Sequence, residues 1–398
     1  MTRLLRRQWI KELLIALMLL LAAVALLTAP RTTSEAAREG LYICIDILIP
    51  SLFPFFVLSA LIIELGMARS IGRALEPVMR PLFRVNGTCA AAVVLGFLGG
   101  YPVGAKCAIS LYEKGQCSEE EAERLLAFCN NSGPAFILGA AGVGILGSSR
   151  AGWFLYLSHT AASLTVGFIF RFYRHRGALR LPAGNRGQPP LIHNERQRPP
   201  TFTDAFIKSV KTSFESVFYI SSFVIFFTAV VRLLFTSGAL PMAATALSAV
   251  FSPLGLTAEM AADLLTGLIE LTSGLFTIRD DVTAGLVGKM ALAAFILGWA
   301  GLSVHCQVLS FIGRSGLSSR TYITGKFLHA CISALYAFSL TRLSGLDLAV
   351  TGAIAGQVET ITRLRFRDTF GLTVTTITAL VLVLLLIRAA RLWRRREG

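Results

Sequence analysis

Charge is scarce in this chain: Asp, Glu, Lys and Arg make up only 15% of its 398 residues, whereas 54% are hydrophobic. With a mean hydropathy of +0.65, the composition excludes an ordinary soluble domain and points to a polytopic membrane protein. Also missing are a nucleophile elbow, a phosphate loop, an H-E-x-x-H helix and any metal-spaced His/Glu pair, so the sequence offers no enzyme constellation and implies no cofactor or metal. No soluble catalytic domain fits between the apolar stretches. Cys44, Cys89, Cys107, Cys117, Cys129, Cys306 and Cys331 form no C-x-x-C pair, and their odd number argues against a disulfide framework. They read as small buried hydrophobes.

What the chain has instead is long apolar segments. A hydrocarbon core of roughly 30 Å needs about 20 helical residues. Eight segments are candidates: Ile10–Ala29, Leu41–Leu65, Ala122–Leu146, Ala151–Phe170, Val217–Phe235, Leu286–Phe311, Thr321–Leu340 and Thr373–Ile387 with its flanks. The first reads as a retained anchor, because Pro30-Arg31 follows it in place of a small-x-small cleavage site. The net charge of +15 sits in short basic clusters beside the spans: the N-terminus, Arg69 to Arg84, Arg171 to Arg198, and Arg388 to Arg396. That distribution marks cytoplasmic loops and tails, not a nucleic-acid surface, and it places both termini in the cytoplasm.

With the clusters fixed inside, the chain divides into an anchor (1–39), a first repeat (40–171), a basic cytoplasmic linker (172–214), a second repeat (215–343) and a final span with its basic tail (344–398). Met67 to Val85 carries Ile71, Leu75, Val78, Leu82 and Phe83 at helical spacing against arginines, which predicts an amphipathic interfacial helix. Thr88 to Tyr112 is split by Gly99-Gly100-Tyr101-Pro102 into halves too short to span, and charge parity makes it a re-entrant hairpin (88–112). The same order recurs about 170 residues later, with a second broken segment at 258–277. Each repeat then crosses an odd number of times, so the repeats are inverted, and their breaks mark a central binding site.

The candidate site follows from those breaks. On the first side are Gly99, Gly100, Tyr101, Pro102 and Lys106, together with Asn130, Asn131 and Ser132 ahead of Gly133-Pro134; on the second are Glu270, Thr272, Ser273, Ser303 and His305. The asparagines can serve a polar substrate or simply satisfy freed backbone. Lys106 is either a cationic partner for an anionic substrate or a lysine snorkelling to the interface. Glu270 is the coupling-ion candidate, or else an ion-pair partner of Lys106 across the pseudo-twofold axis. His305 can titrate or pack, and His159 and His329, matched between the copies, read as scaffold. Asp46 is a weaker candidate for the cavity wall.

The segments IPSLFPFFVLS (Ile49 to Ser59), GGYPVGAK (Gly99 to Lys106), CNNSGPAFILGAAG (Cys129 to Gly142), GLIELTSG (Gly267 to Gly274) and GLSVHCQV (Gly301 to Val308) together resemble the sporulation integral membrane protein YlbJ (SpoVV-type) family, within the larger group of nucleoside-recognition (Gate) membrane proteins. The likeness runs from about Leu41 to Leu343. It implies an all-α fold similar to concentrative nucleoside transporters, each half with a re-entrant hairpin and a partly unwound helix. It also implies a secondary transporter moving dipicolinic acid from mother cell toward forespore across the outer forespore membrane. Nucleoside transport and a non-transporting scaffold for spore assembly are the alternatives, because a fold alone does not set the substrate. The expected partners are a small anionic solute and the lipid bilayer, with no nucleic acid, and a homo-oligomer is compatible with this reading.

Overall fold

The structure is a computed structural model that describes residues 26–174 and 201–344, with scattered positions between 12 and 24. The expected spans 10–29 and 373–387, and most of the linker and tail, lie outside or largely outside the described residues. Among those described, every regular element is helical and five helices are long and apolar enough to cross a membrane: Pro30–Ile62, Ser149–Phe170, Phe202–Thr236, Leu286–Ser315 and Ser319–Leu343. The protein is a polytopic all-α membrane protein.

In chain order, α1 (Pro30–Ile43) runs through a wide π turn at Cys44–Leu48 into α2 (Ile49–Glu64), and α3 (Met67–Phe83) is the predicted amphipathic helix. A pair of short helices follows, α4 (Ala90–Gly99) and α5 (Val103–Glu113), joined through Gly100-Tyr101-Pro102. Next come α6 (Glu119–Phe128), a π helix at Ala135–Ile145, and α7 (Ser149–Phe170). The second half repeats the plan with α8 (Phe202–Thr236), α9 (Ala239–Phe251), the short pair α10 (Ala258–Ile269) and α11 (Leu271–Asp280), then α12 (Leu286–Trp299), α13 (Gly301–Ser315) and α14 (Ser319–Leu343). At 10 to 12 residues, the paired helices α4, α5, α10 and α11 reach roughly 15–18 Å, about half of a hydrocarbon core.

Two expected spans differ from their sequence reading. Ala122–Leu146 is not continuous: α6 stops at Phe128, and Cys129 to Gly133 runs without helix before the chain winds again at Pro134, because Pro134 has no N–H to donate back into a preceding turn and Gly133 weakens the helix. Leu286–Phe311 is likewise divided at Ala300-Gly301, both with positive φ (83° and 77°). Conversely, α8 starts at Phe202, well before the apolar run at Val217, where Thr201 caps it by accepting from Asp204 N at 3.2 Å.

Each short-helix pair packs against the broken span of its own half. Gly96 of α4 and Gly104 of α5 both face the Cys129 carbonyl, so closely that a Cβ at those positions would lie 1.8 and 2.0 Å from its oxygen. In the second half, a Cβ on Gly301 would lie 3.0 Å from Leu271 N. Helix α14 then lies along α12, α7 and α6 and joins the two halves. The Gly104→Ala variant should therefore lower stability by about 1–3 kcal/mol through overpacking. Gly285→Ala, with open space around it and φ −63°, should change little; equal thermal shifts for the two purified variants would refute this account of the contact.

Candidate functional site

A concave pocket opens where the two hairpin turns and two broken spans meet. Gly99, Gly100 and Tyr101 from the first hairpin, Ser132 from the first break, Glu270 and Thr272 from the second hairpin, and Ser303 from α13 all line it. The sequence reading had not placed its apolar wall in the site: Leu48, Leu52 and Phe56 from the helix before the first hairpin, Phe136 after the first break, and Phe223 from α8. Gln307 also lines it, buried at 2% exposure with Oε1 lacking a hydrogen-bond partner.

Glu270 is fixed by local geometry. It sits between α10 and α11 in an extended conformation and caps α11, its carboxylate accepting from Thr272 N at 3.1 Å and Ser273 N at 2.6 Å. An anion at a helix N-terminus is stabilised by the free amides and the helix dipole, so this buried charge is answered locally. Ser273 turns away to the Thr228 hydroxyl, 3.2 Å distant. His305 faces the Tyr322 hydroxyl at 3.0 Å and packs edge-on against Trp299, clear of the cavity lining.

Lys106 is not brought to this site and does not pair with Glu270. It is exposed on α5 with its ammonium 4.8 Å from the centre of the Phe311 ring, because a residue two positions beyond Gly104 lies about 200° around the helix from the face packed on the first break. Asp46 is also exposed and lies outside the lining. Pro102, Asn130 and Asn131 are buried behind the lining: Asn131 Nδ2 donates to the Phe128 carbonyl at 2.9 Å, while the Asn130 side-chain amide has no hydrogen-bond partner among the described residues.

The buried cation is Lys326 of α14, which the sequence reading passed over; it is 1% exposed. Its Nζ donates to Tyr101 Oη at 2.8 Å and to the Asn130 carbonyl at 3.2 Å, and lies 3.5 Å from His329 Nδ1. Tyr101 Oη in turn donates to the Leu297 carbonyl at 2.9 Å. His329 Nε2 faces the His159 carbonyl at 2.9 Å, and the Ser132 amide donates to His159 Nε2 at 3.1 Å. Among the described residues no carboxylate lies within ion-pair distance of Lys326. One signal was available in the sequence: Tyr322, Lys326 and His329 recur at i, i+4 and i+7, on one face of a predicted span.

Residues 46–150, which hold the first hairpin and first break, match the family model described as Gate, nucleoside recognition. The sporulation integral membrane protein YlbJ of Bacillus subtilis (strain 168) is 30% identical over 356 residues, covering 84% of this chain and 83% of that protein. The chain belongs to the YlbJ family. Among solved structures, a CNTnw double variant in an outward-facing state superposes with a TM-score of 0.51 at 14% identity, covering 84% of this chain and 86% of that one. A second CNTnw variant, in an intermediate state, gives 0.49 at 13% identity, with 84% and 86% covered. The first of these likenesses shows a shared fold, that of a concentrative nucleoside transporter.

The Glu270 cap generates a stability prediction. Glu270→Ala should cost about 0.5–2 kcal/mol by removing the acceptor of two buried amides, with Glu270→Gln intermediate. Thermal unfolding of the detergent-purified variants checks it, and an Ala variant as stable as the parent would show that the cap contributes nothing.

Proposed function

We propose that this YlbJ-family protein is a secondary transporter of a small anionic carboxylate, and that dipicolinic acid is its substrate. The observation that carries this reading is the buried Lys326 amino group, which among the described residues has no carboxylate partner and lies one hydroxyl behind a cavity built by both hairpins. A lone charge in a low-dielectric interior is costly, and an anion in the cavity offsets that cost. The lining fits a planar aromatic acid in two ways. Phe56, Phe136, Phe223 and Tyr101 offer ring surfaces, and the Gln307 amide, Ser132 and Thr272 offer polar contacts to carboxylate oxygens.

The two halves are inverted repeats, the termini are cytoplasmic, and substrate passes from mother cell toward forespore through the outer forespore membrane. Nucleoside transport is the alternative favoured by the Gate match, and its discriminating feature is neutrality: a nucleoside gains nothing from Lys326. A scaffold without transport needs no polar cavity between hairpins.

In proteoliposomes the protein should take up labelled dipicolinate, and excess unlabelled dipicolinate should compete while uridine and adenosine should not. Replacing Lys326 by Met should weaken dipicolinate binding at least tenfold, about 1.4 kcal/mol, in a protein that remains monodisperse. Competition by uridine with no dipicolinate flux would transfer the assignment to nucleosides; flux of neither would favour the scaffold.

A further inference from the structure

The surroundings of Lys326 specify more than a fixed positive charge. Its three neighbours are all neutral acceptors: a phenol oxygen, a backbone carbonyl and an imidazole nitrogen. The protonation of that imidazole is set by the backbone. His329 Nε2 points at a carbonyl, which can only accept, so Nε2 carries the ring hydrogen and Nδ1 presents a lone pair to Lys326. His159 is fixed in the opposite sense, because Ser132 N–H donates to its Nε2 and the hydrogen resides on Nδ1.

The two short contacts, 2.8 and 3.2 Å, need two hydrogens on Nζ, and only the 3.5 Å contact to His329 uses a third. An ammonium fills all three; a neutral amine keeps the two short bonds and gives up the longest one. The pocket therefore accepts both protonation states of the lysine without rearrangement of the hairpin turn or the first break.

We propose that Lys326 is the proton-binding site that couples transport, taking up one proton when a carboxylate anion occupies the cavity and releasing it when the cavity empties. This rests on the carboxylate reading above. By linkage, an anion that favours the ammonium must bind more tightly to the protonated protein, and the protonated protein must bind the anion more tightly by the same factor. The proton enters from water on the side to which the cavity opens and leaves on the other side with the substrate, so each cycle moves one anion and one proton together. Tyr101 links the two sites, since its hydroxyl accepts from Lys326 while the residue itself lines the cavity.

The other titratable groups facing this lysine are too constrained to replace it. On its own helix are His329 and Tyr322, on α7 His159, on α13 His305, at the first break Cys129 and at the hairpin turn Tyr101. Of the carboxylates of α6, Glu123 accepts from Ser318 N ahead of α14, Glu121 accepts from Asn86 and Ser118, and Glu119 pairs with Arg174, while the ionisable residue of α12, Lys289, is engaged with the Arg279 carbonyl. Glu270 already serves two amides, and protonating one of its oxygens would cost a cap bond.

The test is calorimetric titration of dipicolinate into the purified full-length protein in buffers of different ionisation enthalpy. The parent should take up close to one proton per anion bound. Lys326→Arg, permanently protonated, should still bind dipicolinate but with proton uptake near zero. Glu270→Gln should retain proton uptake for each anion that it binds. Binding without proton uptake in the parent overturns the lysine's role and leaves the carboxylate reading standing. Absence of any carboxylate binding overturns both. Proton uptake that survives Lys326→Arg, or that disappears in Glu270→Gln, assigns coupling elsewhere; where the Arg variant does not fold, proton uptake per bound anion that survives in Lys326→Met overturns the proposal in the same way.

Discussion

A backbone carbonyl or amide within hydrocarbon has no water to bond, so wherever a helix is interrupted at membrane depth its freed groups must find protein partners. The architecture around the cavity is a response to that constraint applied four times, at two hairpin turns and two broken spans. The partners differ in kind. At the second hairpin turn the Glu270 carboxylate answers two amides, and at the first break the Asn130 carbonyl is answered by Lys326 Nζ and the Ser132 amide by His159. Polar side chains that carry structure at the breaks are thereby also those nearest the cavity.

The division of roles between the halves is consequently less tidy than a comparison of the repeats implies. Lys326 belongs to the second half by chain position, yet it serves the hairpin turn and break of the first. Tyr101 belongs to the first half and bonds Leu297 in the second. His159 and His329, at matched positions, pack with ring centroids 4.3 Å apart and planes tilted by 49° at the centre of this exchange. The two halves of the chain are thus joined by polar contacts around the cavity as well as by packing of α14 on α6 and α7.

Much of the framework could be read from the sequence because glycine, proline and charge act locally. Gly99 to Pro102 and Gly133-Pro134 announce interruptions by backbone chemistry alone, and the alternation of apolar residues with arginines along Met67 to Val85 announces a helix by its period. Side-chain destinations are a different matter. Lys106 and Lys326 both follow a glycine within an apolar run, and nothing local says which of them is enclosed. The difference lies in which face of each helix is consumed by packing: Gly104 holds α5 against the Cys129 carbonyl and so turns Lys106 outward, whereas Gly325, beside the Ala127 carbonyl, brings α14 close enough for Lys326 to reach the first break. The aromatic wall was obscured for a related reason, since Phe56, Phe136 and Phe223 are unremarkable among 27 phenylalanines until the elements bearing them converge.

The seating of two glycines on one carbonyl oxygen has a mechanical corollary. With side-chain hydrogens alone separating α4 and α5 from Cys129, there is no compliant layer for the hairpin to glide on. Packed contacts of this kind have separate seated positions with barriers between them, not a continuum of partial displacements. Movement of the first hairpin relative to its broken span would then be a jump from one registry to another, and the kinetic signature of the protein would be discrete dwell times between positions instead of graded drift.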